Sequence, residues 1–309
     1  GAGKCSIFLS DDEPVTFESH VTRVRLDRSK ADPRFYFYYL QSHHGKSAIR
    51  SIVEQGAGAS GIRGSDLQNL VVLWMPPPEQ RAIAHILGTL DDKIELNRRR
   101  NQTLEAMARA LFKDWFVDFG PVRAKMEGRE PCLPADLWRL FPERLDDEGK
   151  PEGWRRSTIG SEVTVCGGST PSTKEPAFWE GGEHHWATPK DLSALTFPVL
   201  LDTDRKITDA GIAKISSGLL PVGTVLLSSR APIGYLAIAE VPTAINQGFI
   251  AMKCNGALPN VFVLFWCREN MDLILGNANG STFQEISKSN FRPIPVIMPP
   301  KAILKAFSE

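Results

Sequence analysis

Apolar positions recur with one regular spacing over the longest patterned stretch of the chain, residues 76–119. The steps alternate between four and three residues, and the resulting heptad stripe comprises Ile83, Leu87, Leu90, Ile94, Asn97, Asn101, Leu104, Ala108, Leu111 and Trp115. A mean step of 3.5 residues keeps one face of an α-helix turned toward a partner helix. The pattern therefore predicts a coiled-coil helix roughly 60 Å long.

Proline and glycine bound this predicted helix. Three prolines at residues 76–78 suit a first turn, where backbone N–H groups have no intrahelical partner, and Gly120-Pro121 ends the helix. Its last turns are too broadly apolar for a stripe that faces one partner helix. The aromatic residues there, which we predict to form core against a globular domain, are Phe112, Trp115, Phe116 and Phe119.

Two polar residues, Asn97 and Asn101, interrupt the heptad stripe near its middle. Buried asparagines in a coiled coil penalise every register that leaves them unpaired. We therefore expect them to fix the register of a helix pair. An ordinary amphipathic helix on a globular core remains the alternative, although core helices are seldom this long.

The segment before the helix, residues 1–75, combines short strand-like and helical patterns. Period-two alternation predicts a strand at residues 21–25, and Asp32-Pro33 opens an aromatic-rich helix. An apolar run at residues 70–74 predicts a second strand that leads into the prolines.

Composition changes after the helix. Residues 120–153 are rich in Pro, Gly and charge and predict a linker. Residues 154–298 predict a second globular unit, in which turns separate short strands and one helix lies at residues 259–275. This mixture is typical of an α+β domain with a bent sheet. Its predicted strands are residues 163–165, 223–227, 235–238, 249–252 and 294–297.

The order of elements occurs twice along the chain. A shift of 224 residues aligns a helix, a Gly-Ser turn, a strand and a double proline without gaps. The matched landmarks are Leu40 with Leu264, Gly56 with Gly280, Ile62 with Ile286, Ser65 with Ser289, Leu67 with Phe291, Val72 with Val296 and Pro76 with Pro300. Because the first double proline begins the long helix, residues 299–309 should begin a second helix, the antiparallel partner of the first.

Composition limits the possible classes of protein. The chain has 309 residues, 42% of them hydrophobic and 23% charged, which is enough for two soluble domains. It shows neither an apolar run of membrane-spanning length nor a secretory signal. Five cysteines without CxxC spacing favour a reducing, cytoplasmic setting. A net charge of zero neither supports nor excludes nucleic-acid binding.

No motif predicts catalysis, a cofactor site or a metal site. The stretch at residues 56–61 satisfies GxGxxG, but a dinucleotide site needs a preceding strand and a following helix, and here the order is reversed. The pairs His43-His44 and His184-His185 are adjacent, so their side chains should diverge, and we interpret them as surface histidines.

Several stretches of the chain are distinctive when taken together: residues 76–119, GGSTPSTK from Gly167, WATPKDLS from Trp186, LLPVGTVLLSSRAPIGYLAIA from Leu219, INQGF from Ile245 and GSTFQEISKS from Gly280. In this order they resemble the specificity subunits of type I DNA restriction-modification systems. The resemblance implies an α+β fold with two target-recognition domains, each built on a bent mixed β-sheet with helices and joined by a long coiled-coil spacer helix. Residues 1–75 would then be the C-terminal part of the first domain, residues 154–298 the second domain, and residues 299–309 the start of a truncated second spacer helix.

DNA recognition requires cations for phosphates, small hydroxyl residues at glycine-rich turns, and side chains that reach base edges. Loops that leave the predicted strands supply these groups. The candidate DNA-binding residues are Ser169, Thr170, Ser172, Lys174, Thr188, Lys190, Ser228, Ser229, Arg230, Asn246, Gln247, Ser281, Thr282 and Lys288. Among them Arg230 is the leading candidate for a phosphate or guanine contact, whereas Asn246 and Gln247 either read adenine or close a turn.

The sequence thus predicts a non-catalytic DNA-binding subunit that reads a split target. The resemblance implies methyltransferase (M) and restriction/translocase (R) subunits as partners, which would hold all catalytic groups and the methyl donor. One alternative is a specificity region separated from a fused methyltransferase-nuclease of type IIG/IIB character. Another is a structural coiled-coil protein without DNA affinity.

Overall fold

The computed structural model describes residues 3–9, 14–55, 60–280 and 284–309 of the chain. Contacts divide the chain into two compact units, unit 1 over Gly1–Gln102 and unit 2 over Thr103–Glu309. In the described part, no helix has both the length and the apolar character that a membrane crossing requires. The GxGxxG stretch lies largely outside the described residues.

Unit 1 is mostly helical. Its elements are α1 (Pro33–Gln41), α2 (His43–Arg50), β1 (Glu54–Gln55), β2 (Ser60–Gly61), α3 (Gly64–Gln68) and the first part of α4 (Pro77–Phe116). Helix α1 begins where the sequence predicts, because the Asp32 carboxylate accepts a 3.0 Å hydrogen bond from the Phe35 N–H and Pro33 occupies the first turn. Its aromatic residues Phe35 and Tyr36 form a small core with Ala84 of α4.

Helix α4 confirms the predicted long helix and spans 40 residues. It ends at Phe116, three residues before the predicted boundary, because Phe119 adopts a left-handed conformation with φ 55° and a new helix begins at Gly120. The middle of the heptad stripe is exposed to solvent: Ile94 is 49% exposed, and Asn97 and Asn101 are exposed as well.

A buried glutamine fixes the start of α4 in unit 1. Gln80 is fully buried, its Oε1 accepts a hydrogen bond from the Asp32 N–H at 2.7 Å, and its Nε2 donates to the carbonyl oxygens of Met75 at 2.7 Å and Lys30 at 3.1 Å. One side chain therefore satisfies three backbone groups from two segments that precede the helix. The sequence pattern did not single out this residue.

Two strands predicted in unit 1 do not form. Residues 21–25 and 70–74 have no strand partner in the described part of the chain, and a strand needs one to satisfy its backbone groups. The second segment is held by a side chain, since the Tyr36 hydroxyl donates to the Leu73 carbonyl oxygen at 3.2 Å. Trp74 remains largely exposed.

Unit 2 contains short helices and short strands after the end of α4. Its helices are α5 (Gly120–Met126), α6 (Ala135–Trp138), α7 (Ile159–Glu162), α8 (Pro189–Ser193), α9 (Asp209–Ile212), α10 (Asn260–Glu269), α11 (Met271–Gly276), α12 (Lys288–Phe291) and α13 (Lys301–Ser308), with a 3₁₀ turn at Pro176–Phe178. Its strands are β3 (Arg155–Thr158), β4 (Thr164–Cys166), β5 (His184–Ala187), β6 (Val199–Leu200), β7 (Arg205–Ile207), β8 (Val225–Ser229), β9 (Ile233–Ala239), β10 (Thr243–Ile245), β11 (Phe249–Lys253) and β12 (Pro295–Met298).

The strands form three sheets, and this arrangement confirms the predicted α+β class with mixed sheets. The largest has the order β4-β11-β8-β9-β6, with β6 parallel to β9 and the other pairs antiparallel. A three-stranded sheet has the order β10-β5-β7, with β10 parallel to β5, and β12 pairs with β3. The five predicted strands are present as β4, β8, β9, β11 and β12, whereas β3, β5, β6, β7 and β10 were not predicted.

The largest sheet is covered on both faces. Val225 and Leu227 of β8 point into a core with α10, while Leu226 between them points into a second core with α8. Burial on both faces explains the continuous apolar run in β8, because alternating polarity is typical only of a sheet with one wet face.

The aromatic end of α4 is core, as predicted. Phe112 is 1% exposed and its ring lies 5.1 Å from Phe262 of α10 and 5.6 Å from Phe307 of α13. Trp115 and Phe116 also contact Phe307. Within unit 2 these rings tie together three helices.

Replacing Phe112 by alanine should lower the free energy of unfolding of unit 2 by about 3–5 kcal/mol, because it leaves a cavity among rings that cannot collapse fully. Urea unfolding followed by the fluorescence of Trp115 and Trp154 measures this loss. Leu104→Ala on the same helix is the control, since Leu104 is 59% exposed, and it should cost less than about 0.5 kcal/mol. Equal losses for the two variants would contradict the assigned packing.

Replacing Gln80 by leucine should destabilise unit 1 by at least about 1–3 kcal/mol, because buried backbone groups lose their hydrogen-bond partners. Hydrogen exchange at the Asp32 amide should accelerate accordingly. Gln102→Leu makes the same chemical change at an exposed site of the same unit, and should leave that exchange rate unchanged. Unchanged exchange in Gln80→Leu would show that the three bonds do not hold the helix start.

Candidate nucleic-acid interface

Three loops of unit 2 meet at one edge of its sheets. Because β5 and β10 run parallel with Ala187 opposite Ile245, the residues that follow them, Thr188 and Asn246, leave at the same edge. The Asn246 N–H donates to the Ala187 carbonyl oxygen at 3.1 Å. The end of β8 joins them, since the Ser229 N–H donates to the Gly248 carbonyl oxygen at 2.8 Å.

The glycine-rich loop at residues 167–174 packs directly on this edge. A Cβ atom on Gly168 would lie 1.8 Å from the Ile245 carbonyl oxygen, so only glycine fits there. The Ser169 N–H donates to the same oxygen at 3.1 Å, and the Thr170 hydroxyl donates to Gln247 Oε1 at 2.6 Å. The structure therefore brings together two stretches that the sequence analysis selected separately.

Arg230 and Lys288 border the same loops. Arg230 is half-buried, its side chain 38% exposed, and its Nη1 lies 3.6 Å from Glu285 Oε2 in an ion pair. The Lys288 Nζ lies 3.1 Å from the position that a Cβ on Gly167 would take. Ser281 and Thr282 lie outside the described residues.

Some predicted contact residues use their polar groups inside the fold. The Ser228 hydroxyl is buried, donates to the Pro232 carbonyl oxygen and accepts from the Tyr235 N–H, both at 2.8 Å. Ser229 is also buried. The Thr188 hydroxyl donates to Asp191 Oδ2 at 2.7 Å and caps α8.

The two amide residues differ in their surroundings. Asn246 Oδ1 accepts from the Gly248 N–H at 2.9 Å, which is the turn-closing arrangement that the sequence left open. Gln247 is exposed, and the Thr170 hydroxyl occupies one lone pair of its Oε1. Its Nε2 and the second lone pair of Oε1 point to no partner in the described part of the chain.

Cations without a carboxylate partner surround the loop at residues 167–174. Within the described residues these are Lys174, Arg205, Lys214 and Lys288. Lys190 differs, because its Nζ lies 3.3 Å from Asp204 Oδ2. Lys214 is next to the loop, since its carbonyl oxygen lies 3.4 Å from the Ser169 hydroxyl.

Arg205 and Lys214 were not among the residues selected from the sequence. Arg205 faces Trp186 across the pair formed by β7 and β5, and its guanidinium carbon lies 3.9 Å from the centre of the Trp179 ring. The Trp179 Nε1–H donates to the Ser172 carbonyl oxygen at 2.9 Å. A cation in a three-residue strand gives no sequence signal of its own, because only the strand pairing reveals its neighbours.

Burial shifts the pKa of one histidine and one cysteine of unit 2, His185 and Cys254. His185 Nδ1 lies 2.6 Å from Lys206 Nζ, and burial together with this ammonium lowers the pKa of the imidazole. Burial raises the pKa of the Cys254 thiol to about 12, so it is protonated at neutral pH. No group of three or more metal-ligating side chains is present among the described residues.

A family model gives the first comparison with known proteins. The model described as the Type I restriction modification DNA specificity domain matches residues 2–106 and 151–307. These two segments contain the two copies of the internal repeat. They also contain α4 as far as Ala106 and every loop of the candidate interface.

Known specificity subunits are similar to this chain over different lengths. The MjaIX specificity subunit of Methanocaldococcus jannaschii is 38% identical over 156 residues, which is 50% of this chain and 36% of that protein. The HindI specificity subunit of Haemophilus influenzae is 26% identical over 90% of this chain and 70% of its own length. The crystal structure of an S subunit from M. genitalium is 17% identical, with a TM-score of 0.49 over 91% of this chain and 65% of that one.

The family model covers most of the chain, and its two segments coincide with the repeat found in the sequence. The resemblance noted from the central helix and the second-unit loops is thereby confirmed. The chain belongs to the family of type I restriction-modification DNA specificity domains.

Proposed function

We propose that the chain is part of a non-catalytic specificity subunit that reads a bipartite DNA target and directs methylation and cleavage by partner subunits. The observation that carries this proposal is the set of cations without carboxylate partners around the loop at residues 167–174. The family match supports it independently. The relatives are named as separate specificity subunits, which favours this function over a region cut from a fused methyltransferase-nuclease.

The lysine side chains around this loop suit contacts with DNA phosphates. Lys174, Lys214 and Lys288 lie on or beside the loop at residues 167–174. Each lysine that neutralises a phosphate releases condensed counterions, which supplies affinity without sequence information. Lys190 and Arg230 are held in exposed ion pairs, which contribute little stability, so they can exchange a carboxylate for a phosphate.

To read bases in the half-site that unit 2 would contact, the protein needs polar side chains of fixed orientation. Gln247 is exposed and is oriented by the Thr170 hydroxyl, which bonds to its Oε1. Its remaining acceptor and its amide donors match N6 and N7 of adenine. We therefore propose Gln247 as a base-reading residue, Thr170 as its positioning residue, and Asn246 as a turn residue.

The long helix fits the role of a spacer. We propose that the exposed heptad stripe of α4 pairs with a second, antiparallel helix that begins with α13. Asn97 and Asn101 would then be buried in the helix pair and fix its register. The length of the pair would set the distance between the two half-sites.

Partner subunits would supply all chemistry. We propose that methyltransferase (M) subunits hold the methyl donor and that restriction/translocase (R) subunits cleave the DNA, so the chain itself needs no cofactor or metal. The complex would act on double-stranded DNA in the cytoplasm.

Replacing Lys288 by glutamine should weaken DNA binding by the complete methyltransferase complex equally for all sequences. The slope of log affinity against log salt concentration should fall by about one, because one phosphate contact is lost. Fluorescence anisotropy on labelled duplexes at several salt concentrations measures both quantities.

Lys305→Gln on α13 is the matched control for this change in charge, since Lys305 is exposed and its Nζ pairs with Glu309. It should leave the slope unchanged. The same slope for Lys288→Gln and the native complex would place Lys288 outside the DNA interface.

Inserting seven residues into α4 after Asn101 should lengthen the gap of the target by about three base pairs, because a heptad adds roughly 10 Å of helix. The matching insertion in the second helix keeps the pair in register. Single-molecule methylome sequencing of cells that carry the complete gene and its methyltransferase reads the motif. A continuous motif, or a gap that does not change, would contradict the spacer role.

A further inference from the structure

Arg205 is a cation whose position is fixed by two indole rings. Its guanidinium carbon lies 3.9 Å from the centre of the Trp179 ring and 5.2 Å from that of Trp186. The two indoles pack edge to face at 4.9 Å, and Trp186 is 3% exposed. The buried ring thus holds Trp179, and Trp179 holds the arginine, while Arg205 itself is exposed.

The nearby carboxylates are engaged by other cations. Asp202 pairs with Lys206, and Asp204 pairs with Lys190 at 3.3 Å. Alternation along β7 directs Lys206 to the opposite face from Arg205. In the described part of the chain, Arg205 therefore has no ion pair.

One of the indole rings under Arg205 also contacts the loop at residues 167–174. Trp179 Nε1–H donates to the Ser172 carbonyl oxygen at 2.9 Å, two residues after Thr170, whose hydroxyl bonds to Gln247. The guanidinium, the loop and the proposed adenine reader are thus connected by a short series of direct contacts.

We infer that Arg205 reads a guanine in the half-site that unit 2 contacts; this inference rests on the proposed function. A guanidinium lying on an indole keeps its planar donor fork in one orientation, and that fork matches O6 and N7 of guanine. The lysines around the loop lack this geometry and carry a flexible point charge, which suits phosphates.

Two other roles for Arg205 make different predictions. A phosphate contact depends on charge, so lysine would replace arginine with little change in sequence preference. A purely structural role, in which the aliphatic stem covers the indoles, depends on packing, so methionine would replace arginine without loss. Guanine reading by Arg205 depends on the oriented fork: methionine removes every donor, and lysine replaces the fork with one flexible ammonium, which holds guanine less selectively.

The experiment compares Arg205→Lys and Arg205→Met in the complete methyltransferase complex. Methylated products from a randomised DNA library are sequenced to give the preference at each position. Both variants should lose about 5- to 150-fold in discrimination for guanine at one position of one half-site. The remaining positions should keep their preferences.

Two further variants show whether the guanine preference depends on the contact between Arg205 and the indole rings. Trp179→Leu removes the ring beneath an intact arginine and should weaken the same guanine preference, whereas Lys214→Gln should lower methylation of all targets equally. Thermal unfolding of each complex confirms that the variants are folded; Arg205→Met keeps the stem on the indoles and preserves packing.

The outcomes separate this inference from the proposed function. A native complex without any split motif would overturn both. If the native complex has a split motif and Arg205→Lys leaves that motif unchanged, the inference alone is overturned. In that case, a uniform loss of methylation in Arg205→Met would assign Arg205 to a phosphate contact. No loss of methylation in Arg205→Met would assign it to packing.

Discussion

The rings at the end of α4 share one buried cluster with helices that follow much later in the chain. Phe112 contacts Phe262 of α10 and Phe307 of α13, and α10 in turn covers one face of the largest sheet. This burial of apolar surface is the interaction on which the other features of unit 2 depend, because the sheet that carries the recognition loops rests on it. In unit 1, the buried amide of Gln80 adds hydrogen bonds to the small apolar core that holds the start of α4.

Close approach of backbone to backbone organises the candidate interface. Gly168 lies against the Ile245 carbonyl oxygen, where any side chain would clash, and the Ser169 N–H bonds to that oxygen. This close packing places Thr170 beside Gln247.

The basic residues of the interface divide according to their partners. Arg230 and Lys190 are balanced by nearby carboxylates, whereas Lys214 and Lys288 have none among the described residues. Arg205 also has no carboxylate partner among the described residues, and its planar guanidinium lies 3.9 Å from the Trp179 ring, which restricts its orientation. This division gives a physical basis for separating groups that supply affinity from groups that supply specificity.

The sequence by itself determined the long helix, its heptad stripe, the repeat and the resemblance to the family, because heptad spacing and matched landmarks are local or periodic signals. It predicted β4, β8, β9, β11 and β12 but not β3, β5, β6, β7 and β10, whose short segments are stabilised by pairing and not by propensity. It also predicted strands at residues 21–25 and 70–74 that the described chain leaves without partners. Only the tertiary structure decided which candidate residues have free polar groups, because hydrogen bonds and ion pairs between distant segments determine whether a side chain is available to a ligand.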